Sequence, residues 1–212
     1  MKPFTTILFL LLSTLGLSAQ TNAITEQGDE VILFDDGTWQ YKNPVEEVVE
    51  QIATNQHLFE KSDDATFLLK SKRNGVGFWV NPKQWKFGKA TNNPEAEYEF
   101  ELKDGDLYGM AITEGVEIPL LTLRNIALEN GRSAAPDLQI VKQEFRKVNG
   151  LTVLHLLMNG TMQGIKFFYY GYYYSNSKGT TQLITYSTQN LYEVYEKYCH
   201  ELLNGLVEVD AK

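Results

Sequence analysis

Alternation of apolar and polar positions dominates this chain, and its densest apolar run is residues 165–174, Ile-Lys-Phe-Phe-Tyr-Tyr-Gly-Tyr-Tyr-Tyr. Aromatic residues suit a pleated strand, and glycines at 160 and 164 and the Ser-Asn-Ser-Lys-Gly stretch at 175–179 bound the run. Read at period two, Ile165, Phe167, Tyr169, Gly171 and Tyr173 share one face. Lys166, Phe168, Tyr170, Tyr172 and Tyr174 share the other. Neither face is polar enough to be solvated, so the pattern predicts a central strand packed on both sides.

The neighbouring segments read as its partners. Strands are predicted over 66–71 and 76–80 around Asn74-Gly75, and over 96–103 and 107–113 around Asp104-Gly105-Asp106. Two more, over 138–148 and 151–158, flank Asn149-Gly150, and another covers 181–187. Asn-Gly and Asp-Gly between apolar runs are strong hairpin signals, so the sheet should be largely antiparallel. The period changes to helical twice. Over 118–130, Leu120, Leu123, Ile126 and Ala127 repeat between Pro119 in the first turn and Gly131 past the end. Over 191–206, Leu191, Tyr195, Tyr198 and Leu202 repeat behind a capping box of Asn190 and Glu193.

The first third has a different organisation. Lys2, an apolar run over 7–17 and small Ala19 make an export signal over 1–19, with a retained amino-terminal anchor as the alternative. The run is short for a membrane span, and no later run is long enough to be one. Residues 20–43 read as a β-hairpin module in which Asp35-Asp36-Gly37 separates 30–34 from 38–41. Residues 44–62 read as a helical linker with Val45, Val48, Val49 and Ile52 on one face. The main domain is placed at 63–212. The fold class is therefore α+β, a largely antiparallel sheet with helices on both faces, an α/β/α sandwich, preceded by a small hairpin.

Two segments carry resemblances. Val31-Ile32-Leu33-Phe34-Asp35-Asp36-Gly37-Thr38-Trp39-Gln40-Tyr41 resembles the short "DGTW" hairpin of many exported bacterial proteins. Residues 66–207 resemble the PsbP/Mog1/DcrB-like superfamily. The strand Val76-Gly77-Phe78-Trp79-Val80, followed by Asn81-Pro82 and Trp85, is similar to that group's strand–Pro–Trp entry. Val148-Asn149-Gly150 is similar to its turn between two strands, and the order of helix, aromatic strand, strand and closing helix matches. The superfamily has no shared catalytic site, so the resemblance implies a PsbP-like sandwich and an accessory, protein-binding role rather than an enzyme.

Composition narrows the function classes further. A net charge of −8 over 212 residues argues against nucleic acid and against electrostatic adhesion to anionic lipid. The single cysteine, Cys199, cannot form an internal disulfide and reads as a buried apolar residue, which suits a periplasmic or secreted bacterial protein. No phosphate loop, dinucleotide fingerprint or serine-nucleophile signature occurs, and no cofactor or metal is expected. Asp104-Gly105-Asp106 lacks the later ligands of a calcium loop. His155 lies on the face of Leu151, Val153 and Leu157 and reads as a core histidine, with a general base as the remote alternative. The leading expectation is an exported non-enzymatic protein that binds a partner protein or envelope component. The candidate surface is Tyr172, Tyr173 and Tyr174 at the strand end, with Trp79, Trp85 and Tyr108, since Tyr and Trp are favoured at interfaces. A small-molecule binder, holding an apolar or sugar ligand between sheet and helix, is the alternative; an uncharacterised hydrolase using His155 ranks last.

Overall fold

A computed structural model describes residues 21–24, 30–42 and 52–209. The expected export signal and the valine face of the expected linker lie outside them. The chain divides into two compact units, Met1–Gln51 and Ile52–Lys212.

The first unit holds three antiparallel strands: β1 (Thr21–Ile24), β2 (Glu30–Leu33) and β3 (Trp39–Tyr41). Leu33 pairs with Trp39 across the Asp-Asp-Gly loop. Gly37 takes φ 83°, and its N–H donates to Phe34 O, the geometry of a three-residue hairpin loop. Asp36 accepts hydrogen bonds from the Thr38 N–H and hydroxyl, which holds its carboxyl below its ordinary pKa. The sequence reading supplied the hairpin and missed β1, a third strand with no turn signal of its own.

The second unit is α+β with mostly antiparallel pairing. Its larger sheet is built from β4 (Thr54–Phe59), β7 (Trp85–Lys89), β8 (Ala96–Leu102), β9 (Tyr108–Glu114), β10 (Gln139–Val148), β11 (Leu151–Met162), β12 (Ile165–Asn176) and β13 (Gly179–Thr188). Their order is β4-β10-β11-β12-β13-β9-β8-β7, so the aromatic run is an inner strand, as its two apolar faces require. A smaller sheet joins β5 (Phe67–Lys70), β6 (Val76–Val80) and β14 (Leu206–Glu208) in the order β14-β6-β5. The helices are α1 (Leu120–Ala134) and α2 (Tyr192–Leu203).

The alternation read from 165–174 sorts side chains into two separate cores. Phe168, Tyr170, Tyr172 and Tyr174 join Tyr195, Cys199, Leu202 and Leu203 of α2 and Phe78 and Val80 of β6. Phe167 and Tyr173 join Leu123 and Ala127 of α1 with Leu154, Leu156 and Met158. The Asn149-Gly150 hairpin forms as expected, with both residues at positive φ, 48° and 84°.

Four local expectations need correction. Residues 54–59 of the expected helical linker form β4, which pairs in parallel with β10; backbone pairing at a sheet edge outweighs a weak helical pattern. Helix α1 runs through Gly131 to Ala134, where the Ala135 N–H bonds back to Gly131 O. The Asn190–Glu193 capping box does not form: a short 3-10 turn over Gln189–Leu191 leads into α2, and no side chain caps it. Strands 66–71 and 76–80 pair with one another, but in the smaller sheet, completed by a strand after α2 that the sequence reading did not contain.

Candidate functional site

The polar ends of the buried tyrosines define the interior chemistry. Arg146 on β10 points inward and is 2% exposed. Its Nη1 donates to the hydroxyls of Tyr170 (3.0 Å) and Tyr172 (3.2 Å), and its Nε donates to Glu144 Oε1 (2.6 Å). Tyr170 also meets His200 Nε2 at 2.9 Å, and Tyr172 donates to Asn204 Oδ1 at 2.8 Å. Burial would raise the Glu144 carboxyl, but hydrogen bonds from Arg146 and Asn55 and the guanidinium charge bring it below its ordinary value. Beside this network lies His155, fully buried, with its ring 4.4 Å from that of Tyr170 and both nitrogens without a hydrogen bond. Burial, then the charge of Arg146, holds its pKa down to about 2. Burial likewise pushes the Cys199 thiol up to about 12. A base that stays neutral in a closed core has no route to a substrate, and a paired arginine among tyrosines is what a satisfied buried charge requires.

Most residues of the expected binding surface are buried. Tyr172 and Tyr173 are fully buried, and Tyr174 and Trp85 nearly so. The reason is strand length. β12 continues to Asn176, and β13 pairs with it from Phe167 to Asn176, so Tyr172–Tyr174 sit inside the sheet and not at its end. Tyr174 donates to Glu208 on β14 at 2.6 Å, which closes that corner; burial, then this bond, pushes its pKa up to about 12. Trp79 is half-buried, with Lys61 Nζ 5.2 Å from the centre of its ring.

Tyr108 alone of the six is exposed, at 40%, and it does not stand by itself. The sheet register aligns Met158, Tyr169, Tyr186, Tyr108, Glu101 and Lys86 in one row across six strands. Tyr169 and Tyr186 meet edge to face at 5.9 Å, and Tyr186 and Tyr108 lie nearly parallel at 5.8 Å. At the Tyr169 end the row merges with the α1 core. At the Tyr108 end it opens into a groove of about 330 Å³ lined by β7, β8, β9 and β13, with no helix residue in its walls. Gly88 lies in its lining with open space where a side chain would project.

The groove's charged groups all have hydrogen-bond partners, and one negative charge, that of Glu99, has no counter-charge in the lining. Lys86 Nζ reaches Glu101 Oε1 at 2.8 Å, a bond that raises the ammonium's pKa. Glu99 accepts from the Thr91 N–H (3.2 Å), Thr91 Oγ1 (3.0 Å) and Asn92 Nδ2 (3.2 Å), and these bonds lower its carboxyl. Among the described residues the hydroxyls of Tyr108, Tyr169 and Tyr186 make no hydrogen bond. Sequence reading found Tyr108 and missed Tyr186, Glu99, Glu101 and Lys86. Alternation gives each residue's face along its own strand, but only register shows which residues stand side by side.

No protein-family model and no curated protein sequence matches the chain. Solved structures do. The solution structure of cyanobacterial PsbP (CyanoP) from Synechocystis sp. PCC 6803 superposes with a TM-score of 0.50 at 11% identity, over 67% of this chain and 91% of that one. PA94 from Pseudomonas aeruginosa gives 0.44 at 11% identity, over 68% and 98% of the two chains. LpqN of Mycobacterium tuberculosis gives 0.37 at 11%, over 72% and 82%. The likeness to CyanoP, at so low an identity, bears on fold alone: the chain has a PsbP-like fold.

Proposed function

From this PsbP-like fold, we propose that the protein is an exported, non-enzymatic accessory protein that binds a partner protein or cell-envelope component through the Tyr108 end of its large sheet. In this reading α1 and α2 cover opposite faces of the sheet and leave only that end of one face open. One observation carries the proposal: a row of three tyrosines reaches an open groove with its hydroxyls unbonded. Buried tyrosine hydroxyls ordinarily find partners, and this protein supplies them for Tyr170, Tyr172 and Tyr174, though not for the fully buried Tyr173. Rings left accessible with free hydroxyls are the amphipathic contact area that binding surfaces use. Export is supported by the amino-terminal pattern of charge and apolar residues, and among the described residues no helix is long and apolar enough to cross a membrane.

The test is a photo-crosslinking amino acid at position 108 of the full chain in the producing cells, with position 79 as comparison. The reading expects an adduct from 108, sensitive to Lys86→Glu, in the exported fraction. Equal or absent adducts at both positions, or a protein retained in the cytoplasm, would refute it.

A further inference from the structure

The charge pattern of the groove discriminates between classes of ligand. A metal ion would need three or more carboxylates, imidazoles or thiolates together, a cluster not found among the described residues; Glu101 is paired with Lys86, and Glu99 is satisfied by three neutral donors. A site for an anion would leave a cation free, yet Lys86, the one lysine or arginine in the lining, is already paired. What remains is aromatic surface beside groups with spare hydrogen-bonding capacity. A carboxylate has about four acceptor positions, and each tyrosine hydroxyl both donates and accepts. The groove thus offers a ring face to C–H groups and a polar rim to hydroxyls.

We infer that the groove lined by Tyr108, Tyr186, Glu99, Glu101, Asn92 and Lys86 binds a neutral saccharide. This rests on the reading of the Tyr108 end as the binding surface and names its ligand. The axial C–H groups of a pyranose carry partial positive charge and sit against the negative face of a tyrosine ring. Its equatorial hydroxyls point outward, where Glu99 and Glu101 accept and Asn92 and Lys86 donate. Lack of a side chain at Gly88 leaves room for the sugar ring beside Tyr108. A volume of about 330 Å³ is at the small end of the range for ligand sites, about 300–1,000 Å³, so the groove holds a short stretch of a chain that continues along the open sheet.

The experiment applies the full exported chain to an array of neutral and anionic glycans, followed by calorimetry with the neutral glycan best retained. Neutral pyranosides are expected to bind and their anionic counterparts to be rejected. Tyr108→Ala should weaken binding roughly tenfold or more, Tyr108→Phe should keep most of it, and Trp79→Ala should leave it unchanged. Thermal unfolding of each variant establishes that it is folded. If no neutral glycan is retained, or Tyr108→Ala binds like the wild type, the saccharide inference is overturned. A position-108 crosslink to a protein in that case would leave the wider binding reading standing. Absence of both would remove the two together.

Discussion

His155 allows a sharp test of how the interior is built. Its ring is fully buried, neither nitrogen is hydrogen-bonded, Nδ1 lies 3.9 Å from Glu144 Oε1, and burial beside Arg146, Lys142 and His200 lowers its pKa from 6.5 to about 2. A depressed histidine pKa means that the unfolded chain binds a proton the folded one refuses. Stability therefore rises with pH between about 2 and 6.5 and falls as the medium is acidified through that window. For one such histidine the loss between pH 7 and pH 5 is about 2 kcal/mol, from about 1.4 kcal/mol per pH unit below the unfolded pKa. His200, lowered by burial and by Arg146, acts in the same direction. His155→Leu removes the titrating group and two unsatisfied nitrogens while keeping an apolar body beside Tyr170. The variant should be within about 1 kcal/mol of wild type at pH 7. At pH 5 it should be the more stable, with the pH difference reduced by about 2 kcal/mol. Urea unfolding followed by far-UV circular dichroism at the two pH values measures both quantities. A variant that unfolds with the same pH dependence as wild type would refute the reasoning. So would one destabilised at pH 7 by more than about 3 kcal/mol, which would mean that the imidazole makes an essential interaction.

Other expectations follow from the same interior. Arg146→Met leaves Glu144 without its main partner and should cost about 3–5 kcal/mol in urea unfolding, whereas Lys86→Met, which breaks an exposed pair, should leave the urea midpoint nearly unchanged. The lowered Glu144 carboxyl contributes stability above its unfolded pKa of about 4.3 that is lost as pH falls through its folded value, so Glu144→Gln should flatten the acid limb of a pH-stability curve. Cys199, buried and held mostly as thiol, should resist a maleimide in the native protein and react fully in denaturant; rapid native labelling would contradict the packing of α2. Gly205→Ala would drive a Cβ into the Trp79 carbonyl and should destabilise by about 3 kcal/mol or more, read as a lower melting temperature.

The inner strand, its two faces, the antiparallel hairpins and the PsbP-like order of elements were all legible in the amino-acid pattern. Each of these is a local signal: period two in the aromatic run, Asn149-Gly150 at positive φ, helical repeats in α1 and α2. Even the core role of His155 and Cys199 was legible, since each shares a face with apolar neighbours. Where the tyrosines end depends on long-range packing. Tyr172–Tyr174 looked like an exposed strand end because the turn after them is polar, but β13 pairs past them; Arg146 donates to the Tyr172 hydroxyl, which donates to Asn204, and the Tyr174 hydroxyl donates to Glu208. Those partners come from β10, from the residue after α2 and from β14, none of them adjacent in sequence. Tyr108 was visible as one candidate, while its row with Tyr186, Glu101 and Lys86 was not. Periodicity fixes a side chain's face along one strand. Which strands lie side by side, and in what register, depends on long-range pairing, and the groove at the Tyr108 end is a product of that pairing.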